Sequence, residues 1–541
     1  MKFARASGIL LHPTSLAGGH GVGDLGEQAR RFVDFVQAGG HKLWQVLPLN
    51  PTGYGDSPFQ CFSASAGNPL LINLELLVEK GVLSAAELKD APEFKDASTT
   101  SDASTRKRAS TTNAPMNEGA GLKDGAAFPA DRVDYHRAIE YKMPRLKRAA
   151  QNFLNTAEAG ERRRFEGFCQ ANGKWLDDFA LFMACKEAHG MAGWTKWAAD
   201  IAGREPRAVQ RWSEKLGPEM AAIKYWQFEF SSQWQEVRGY ARERGIRIIG
   251  DVPIYVAHDS ADVWTNRELF CLDERGEPTK VAGVPPDYFS ATGQLWGNPI
   301  YDWARLEQTG YRWWIERFRA ALRLYDIVRI DHFRGFEAYF EIEAGEATAV
   351  HGRWVKGPGA KLFAALQAEL GEMPIIAENL GVITPEVEAI RKQFGLPGMA
   401  ILQFGFGNDP QAPTFRPHNY ERNLVAYTGT HDNDTTMGWW MSQGADDSVR
   451  TPEEVVKEHG FARAYLGAEE EGMHWAMMRA VLASVADTAM IPMQDVLGLG
   501  SGARMNLPGT SSGNWKWRMV EGALAPELAE RLREMNAVYD R

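Results

Sequence analysis

The sequence predicts a (β/α)8 barrel with large, mostly helical insertions between its strands, and three observations carry that expectation. Eight short apolar runs recur along the 541 residues, most of them rich in β-branched side chains and usually followed by Gly, Pro, Asn or Asp. Helical patterns lie between most of the runs. Strands alternating with helices mean a parallel sheet, and eight such units favour a closed barrel over a doubly wound sheet. Three of the runs, moreover, carry an acidic residue near or just beyond their C-terminal end, and the C-terminal rim of a parallel sheet is where α/β folds build their active sites.

In order, the runs are Gly8–Leu11, Lys42–Leu49, Ile246–Tyr255, Ile327–Phe333, Pro374–Leu380, Met399–Phe406, Asn423–Thr430 and Thr488–Val496. Helical periodicity falls at Gly26–Ala38, Ser232–Gly245, Tyr311–Leu324 and Lys361–Gly371. About 195 residues separate the second and third runs, far more than one connecting helix needs, which places a helical insertion at roughly 56–240. Within it Trp175–Gly190 and Pro218–Trp234 read as amphipathic helices, the second with its Pro at the start, where a helix tolerates it. Residues 97–121 differ in kind: rich in Ser, Thr, Ala and Asp, with Met116 as the only large apolar side chain, they read as a flexible surface loop. The segment 256–310 reads as an active-site loop insertion. After the eighth run come Leu497–Arg541, with Ala523–Asn536 as a last helix, too little for an all-β C-terminal domain. The expected organisation is one catalytic barrel over 1–541.

Composition narrows the function classes. Hydrophobic content of 44% and charged content of 24% are those of an ordinary globular protein. A net charge of -10 argues against nucleic acid as a partner, since phosphate binding needs a basic face. No stretch approaches the roughly 18 apolar residues of a membrane span. Cys61, Cys169, Cys185 and Cys271 lie far apart, without a C-x-x-C pair, and read as reduced thiols of a cytoplasmic protein, monomeric or weakly self-associating. The 18 Trp and 15 Tyr serve mostly as core, yet aromatic faces also grip sugar rings.

The three acids carry the chemistry. Asp331 ends Ile327-Val328-Arg329-Ile330-Asp331, Glu378 ends Ile375-Ile376-Ala377-Glu378, and Asp432 follows the Thr428-Gly429-Thr430-His431 turn. Strand alternation puts Arg329 and Asp331 on one face, where the guanidinium would keep Asp331 ionised and fit for nucleophilic attack. The apolar flank of Glu378 favours a raised pKa, as a general acid requires. Taken singly, each has a structural explanation: an ion pair, a helix cap, an Asx turn. Together on separate strand ends they read as glycoside chemistry, which uses paired carboxylates about a bond. Gly21-Val22-Gly23-Asp24-Leu25-Gly26 matches the dinucleotide fingerprint, but it sits about nine residues beyond its strand, and the next strand ends in Leu49-Asn50 without an acid for a ribose. It reads as a loop glycine cluster, and no cofactor is implied. His431, Asp432 and Asp434 lack a second histidine cluster for zinc, so no metal is implied either.

Longer motifs then become recognisable. Arg329-Ile330-Asp331-His332-Phe333-Arg334-Gly335, Ala377-Glu378-Asn379-Leu380-Gly381 and Thr430-His431-Asp432-Asn433-Asp434 resemble the nucleophile, acid/base and third-carboxylate motifs of the amylomaltases. These are the 4-α-glucanotransferases, or disproportionating enzymes, of glycoside hydrolase family 77 in the α-amylase clan. Leu11–Leu16, Gly53–Pro58, Gly250–Tyr255, Gly283–Phe289, Gly293–Pro299 and Arg504–Thr510 match along nearly the whole chain. The resemblance implies Asp331 as nucleophile, Glu378 as general acid/base and Asp432 as transition-state stabiliser. It implies that Asp251, Arg329, His431, Asp287, Trp296 and Asn506 line the cleft for an α-1,4-glucan, with Tyr54, Ser57, Phe59 and Phe404 as further contacts. Two positions depart from the pattern: Phe59 stands where many relatives carry Tyr, and Ala291 where some carry an acid. An α-amylase-like hydrolase and a catalytically silent glucan-binding protein are the competing readings.

Overall fold

In the computed structural model the chain is described over residues 3–18, 20–89, 128–286, 292–444, 450–467 and 472–541. The expected loop at 97–121 and the candidate Asp287 lie outside the described residues.

Among the described residues twelve strands follow in chain order: β1 (Ala6–Leu10), β2 (Leu43–Gln45), β3 (Arg247–Pro253), β4 (Lys280–Val284), β5 (Gln294–Pro299), β6 (Ile327–Asp331), β7 (Ala338–Glu343), β8 (Arg353–Lys356), β9 (Ile375–Ala377), β10 (Gly398–Ile401), β11 (Leu424–Tyr427) and β12 (Thr488–Pro492). Eight of them form one sheet in the order β10-β11-β12-β1-β2-β3-β6-β9, every pair parallel. Each of these eight falls within or beside one of the runs read from the sequence. The seam between β9 and β10 is bridged where the Ala377 N–H donates to the Pro397 carbonyl at 2.9 Å. Asn379 reinforces it, its Oδ1 accepting from the Met399 N–H at 2.8 Å. A Cβ on Gly398 would come within 2.7 Å of Asn379 Oδ1, so only glycine fits there.

Alternate residues of the strands point into the barrel and form a closed apolar layer. Leu43, Ile249, Ile327, Ile376, Met399, Val425 and Met490 are all buried in it. The next inward position along three of these strands is polar: Gln45, Asp251 and Arg329. The apolar layer is the floor, and the polar layer above it is the base of the cleft.

The long connection from β2 to β3 is helical, with Tyr135–Thr156, Ala159–Ala188 and Gly217–Glu243 as its largest elements. The two patterns read at Pro218–Trp234 and Ser232–Gly245 are one continuous helix, because no breaker separates them and Pro218 occupies its first turn. Buried amides fasten this helix to the rim. The Asn73 N–H donates to Gln233 Oε1 and the Gly67 N–H to Gln227 Oε1, both at 2.7 Å, satisfying backbone groups that would otherwise be buried unpaired.

The structure adds detail to one segment. The segment 256–310, expected as a loop insertion, carries β4 and β5, which join a second, antiparallel sheet in the order β5-β4-β7-β8. Its strands are short and interrupted by Gly283 and Gly297, and three of the four carry charge, so no long apolar run marks them. The sheet holds Trp296 against His332, the residue after Asp331 at the C-terminal rim. The glycine cluster at 21–26 is likewise a packing feature: a Cβ on Gly23 would sit 2.1 Å from the Pro13 carbonyl, and one on Gly26 would be 2.3 Å from Asn73 Nδ2.

Candidate active site

The centre of the site is one buried guanidinium. Arg329, 3% exposed on β6, places Nη1 2.6 Å from Asp251 Oδ2 on the neighbouring β3 and 3.2 Å from Asp331 Oδ1 two residues along its own strand. Its Nη2 is 3.6 Å from Oε2 of Glu378, at the end of β9 on the other side. The register pairs Asp251 with Arg329 and Arg329 with Ile376, so three adjacent strands bring these groups to one point without any loop.

Three carboxyls around one cation cannot all ionise cheaply in a buried place. Burial, opposed by Arg329 and assisted by Asp331, pushes Glu378 up to about 8. Burial likewise pushes Asp251 up to about 7, and Asp331 is raised by burial against the pull of Arg329. The sequence led us to expect the guanidinium to favour the ionised form of Asp331; it does pull in that direction, but desolvation outweighs it and the net shift is upward. The shared proton belongs on Glu378. It is farther from the guanidinium than either aspartate, whereas Asp331 is the more open of the two rim carboxyls, its side chain 27% exposed against 16%.

Glu378 is clamped on both sides by β6 and its continuation. Its N–H donates to the Ile330 carbonyl and its own carbonyl accepts from Phe333 N–H, each at 3.1 Å, while the His332 N–H donates to its Oε2. It does not cap the helix Pro385–Gln393, whose N-cap is Thr384. With the His332 N–H donating to Oε2 and the Arg329 guanidinium nearest that same oxygen, an acidic proton is directed to Oε1.

Asp432 belongs to a second group across the cleft. Asn506 Nδ2 donates to its Oδ1 at 2.6 Å, Arg504 Nη2 donates to its backbone carbonyl at 2.7 Å, and His431 Nε2 lies 3.5 Å from its Oδ2. Asp432 is close enough that its charge helps raise both Asp331 and Glu378. Burial lowers the pKa of His431, which favours the neutral imidazole. Phe59 lies flat on that imidazole, centroids 5.0 Å apart and planes 12° from parallel, with Trp515 tilted beside both rings. The missing hydroxyl at Phe59 is thus at a ring that braces His431.

The other candidates are more dispersed. Trp296 projects from β5 onto the edge of His332, with ring centroids 4.8 Å apart at 89°. Tyr54 stands 77% exposed at the rim, and the Ser57 hydroxyl is engaged by the Phe59 N–H at 3.2 Å. Phe404 packs on the barrel's apolar layer and on Phe415. Sequence reasoning missed Arg504, which ties Asp432 to Asn506 by donating also to the Asn506 carbonyl at 2.8 Å. It also missed Asn379 at the seam and Gln45, whose Oε1 accepts from the Tyr427 hydroxyl at 2.9 Å in the polar layer. Arg504 and Asn379 stood inside quoted motifs; nothing local marked Gln45.

A closed parallel barrel whose C-terminal rim gathers three acids about an arginine is the equipment of a glycoside-processing enzyme. The comparisons with known proteins make this specific. A family model described as 4-alpha-glucanotransferase matches residues 11–523. The 4-alpha-glucanotransferase of Synechocystis sp. is 50% identical over 99% of this chain and 98% of its own, and that of Thermus thermophilus 48% identical over 100% of both. The amylomaltase from Streptococcus agalactiae, solved in complex with acarbose, superposes with a TM-score of 0.87 at 38% identity, covering 99% of each chain. The chain belongs to the 4-alpha-glucanotransferase family, glycoside hydrolase family 77.

Proposed function

We propose that this chain transfers a segment of an α-1,4-glucan from a donor to the 4-hydroxyl of an acceptor glucan or glucose, with retention and through a covalent glycosyl-enzyme. In the first step Asp331 attacks the anomeric carbon while Glu378 protonates the departing oxygen. In the second, Glu378 takes the proton of the acceptor hydroxyl as that oxygen displaces Asp331. Asp432, held by Asn506 and Arg504, accepts hydrogen bonds from ring hydroxyls as positive charge develops at the anomeric carbon. The observation that carries this reading is the guanidinium of Arg329, which holds Asp331 on one nitrogen and Glu378 on the other. A retaining enzyme needs two such carboxyls about 5 to 5.5 Å apart, one free to ionise and one holding a proton.

Incubation with maltotriose tests the reading. Transfer yields glucose together with a ladder of longer maltooligosaccharides; hydrolysis yields only shorter sugars, and a silent binder yields neither. Only the first pattern is compatible with the proposal.

Preference for a glucan over water is supported by the aromatic surface at the rim. Tyr54 is exposed and Trp296 is held by the small sheet, so both offer faces on which an acceptor sugar gains contact and water gains nothing. Trp296→Ala should lower transfer more than hydrolysis, raising the hydrolysed fraction of the products. Equal loss of both activities would show that Trp296 only positions the donor.

A cytoplasmic location is supported by four unpaired thiols, and no helix among the described residues is long and apolar enough to cross a membrane. A monomer or weak self-associating species is the state we expect, without nucleic acid as partner.

A further inference from the structure

His332 directly follows Asp331 and has left-handed backbone, φ 52° and ψ 48°. A non-glycine residue occupies that region at an energetic cost, which the surroundings must over-determine. The consequence is visible in the hydrogen bonds. On either side of it, Ile330 and Phe333 bond the backbone of Glu378 as a β-ladder would, whereas the His332 N–H is turned out of that ladder onto the Glu378 carboxyl. The imidazole is what holds the turn. One edge meets Trp296 at 4.8 Å, and the other side lies against Gly335, where an added Cβ would come within 3.1 Å of Cδ2. Its Nε2 is buried without a hydrogen-bond partner, so packing rather than a polar contact fixes the ring.

We propose that His332 is a positioning residue for the acid/base: its left-handed backbone, wedged in place by Trp296, aims an N–H at Oε2 of Glu378 and reserves Oε1 for the proton given to the leaving oxygen. This rests on the reading of Glu378 as general acid/base. It also links the small antiparallel sheet to proton transfer, because Trp296 packs on His332 and the His332 N–H bonds Glu378.

The expected signature lies in the pH profile. Glu378 must be protonated for the first step, so wild-type kcat/KM falls as pH rises past about 8. The charged groups facing Glu378 are Arg329 and Asp331 from β6 and Asp432 beyond β11, and the Tyr427 hydroxyl faces it from β11. Burial and Arg334 push the His332 imidazole down to about 3, so its own titration does not enter this range. The N–H stabilises the ionised carboxylate. Losing it moves the basic limb upward, by on the order of one pH unit for a bond to a charged group.

The experiment is the substitution series His332→Asn, His332→Gly and His332→Val, with unfolding midpoints measured to confirm folding. Asn and Gly accept left-handed backbone and Val does not. The Val variant should lose roughly 10²-fold in kcat with maltotriose, the range of general acid catalysis, and show the raised limb. Asn, which accepts the left-handed backbone but lacks the ring that Trp296 wedges, should fall between wild type and Val in both. With α-glucosyl fluoride, whose leaving group needs no proton, the glycosylation step of the Val variant should return to near the wild-type rate. Equal losses for Asn and Val with an unmoved limb, or an undiminished deficit on the fluoride, would overturn the proposal and leave the ring as a mere substrate contact. Glu378→Gln is the separate control: dead with maltotriose and active in glycosylation by the fluoride if Glu378 is the acid. Activity of that variant with maltotriose would refute the parent reading whatever the His332 series does.

Discussion

Asp331→Asn should abolish turnover of maltotriose, by about 10³-fold or more as for other enzymes stripped of their nucleophile, while maltooligosaccharide binding stays close to that of the wild type. The amide has nearly the same shape, so Arg329 and the strand register around it are retained, but the group no longer attacks the anomeric carbon. Binding measured by calorimetry separates the two effects. A variant that kept most of its rate would show that another carboxyl is the nucleophile, and one that lost binding and rate together would show that Asp331 holds the donor rather than reacting with it.

Arg329→Met should be the most damaging single change to the fold of the site. Among the described residues the guanidinium is the one cation placed against Asp251, Asp331 and Glu378 together. Removing one partner of a buried charged cluster costs about 3 to 5 kcal/mol, because the remaining charges stay buried without compensation. The sign of the pH dependence follows. These carboxyls already sit above their ordinary values, and without the arginine they rise further. A raised carboxyl makes the folded state bind more protons than the unfolded one, so the variant's stability falls as pH rises through the raised values and recovers below them. The gap in unfolding midpoint between variant and wild type should therefore be smaller near pH 5 than near pH 8. Arg329→Lys should recover little activity, since an ammonium cannot serve two directions from a planar fork. A pH-independent gap would mean that Arg329 acts by packing alone.

The legible part of this protein is what repeats locally. Ile327-Val328-Arg329-Ile330-Asp331 shows in five letters a buried strand, the face its polar residues share and the rim where they end. The same reading served Glu378 and Asp432. The four strands of the second sheet stayed hidden because Lys280–Val284 pairs with Ala338–Glu343, more than fifty residues away, and neither is apolar enough to announce itself. The continuous helix Gly217–Glu243 read as two because amphipathic patterning drifts along a helix buried on more than one side.

Sequence alone determined the barrel, the three acids and the family pattern, since each depends on residue type and short spacing. Tertiary structure decided how those acids behave. Only the register of β3, β6 and β9 puts three carboxyls on one arginine, and only burial there raises Glu378 to about 8 and pushes Asp331 upward against the pull of Arg329. The left-handed turn at His332 and the stack of Phe59 on His431 were equally invisible beforehand, because each is fixed by packing partners distant in the chain. Desolvation and long-range packing have no period in a sequence, and they are what set the protonation and aim of these groups.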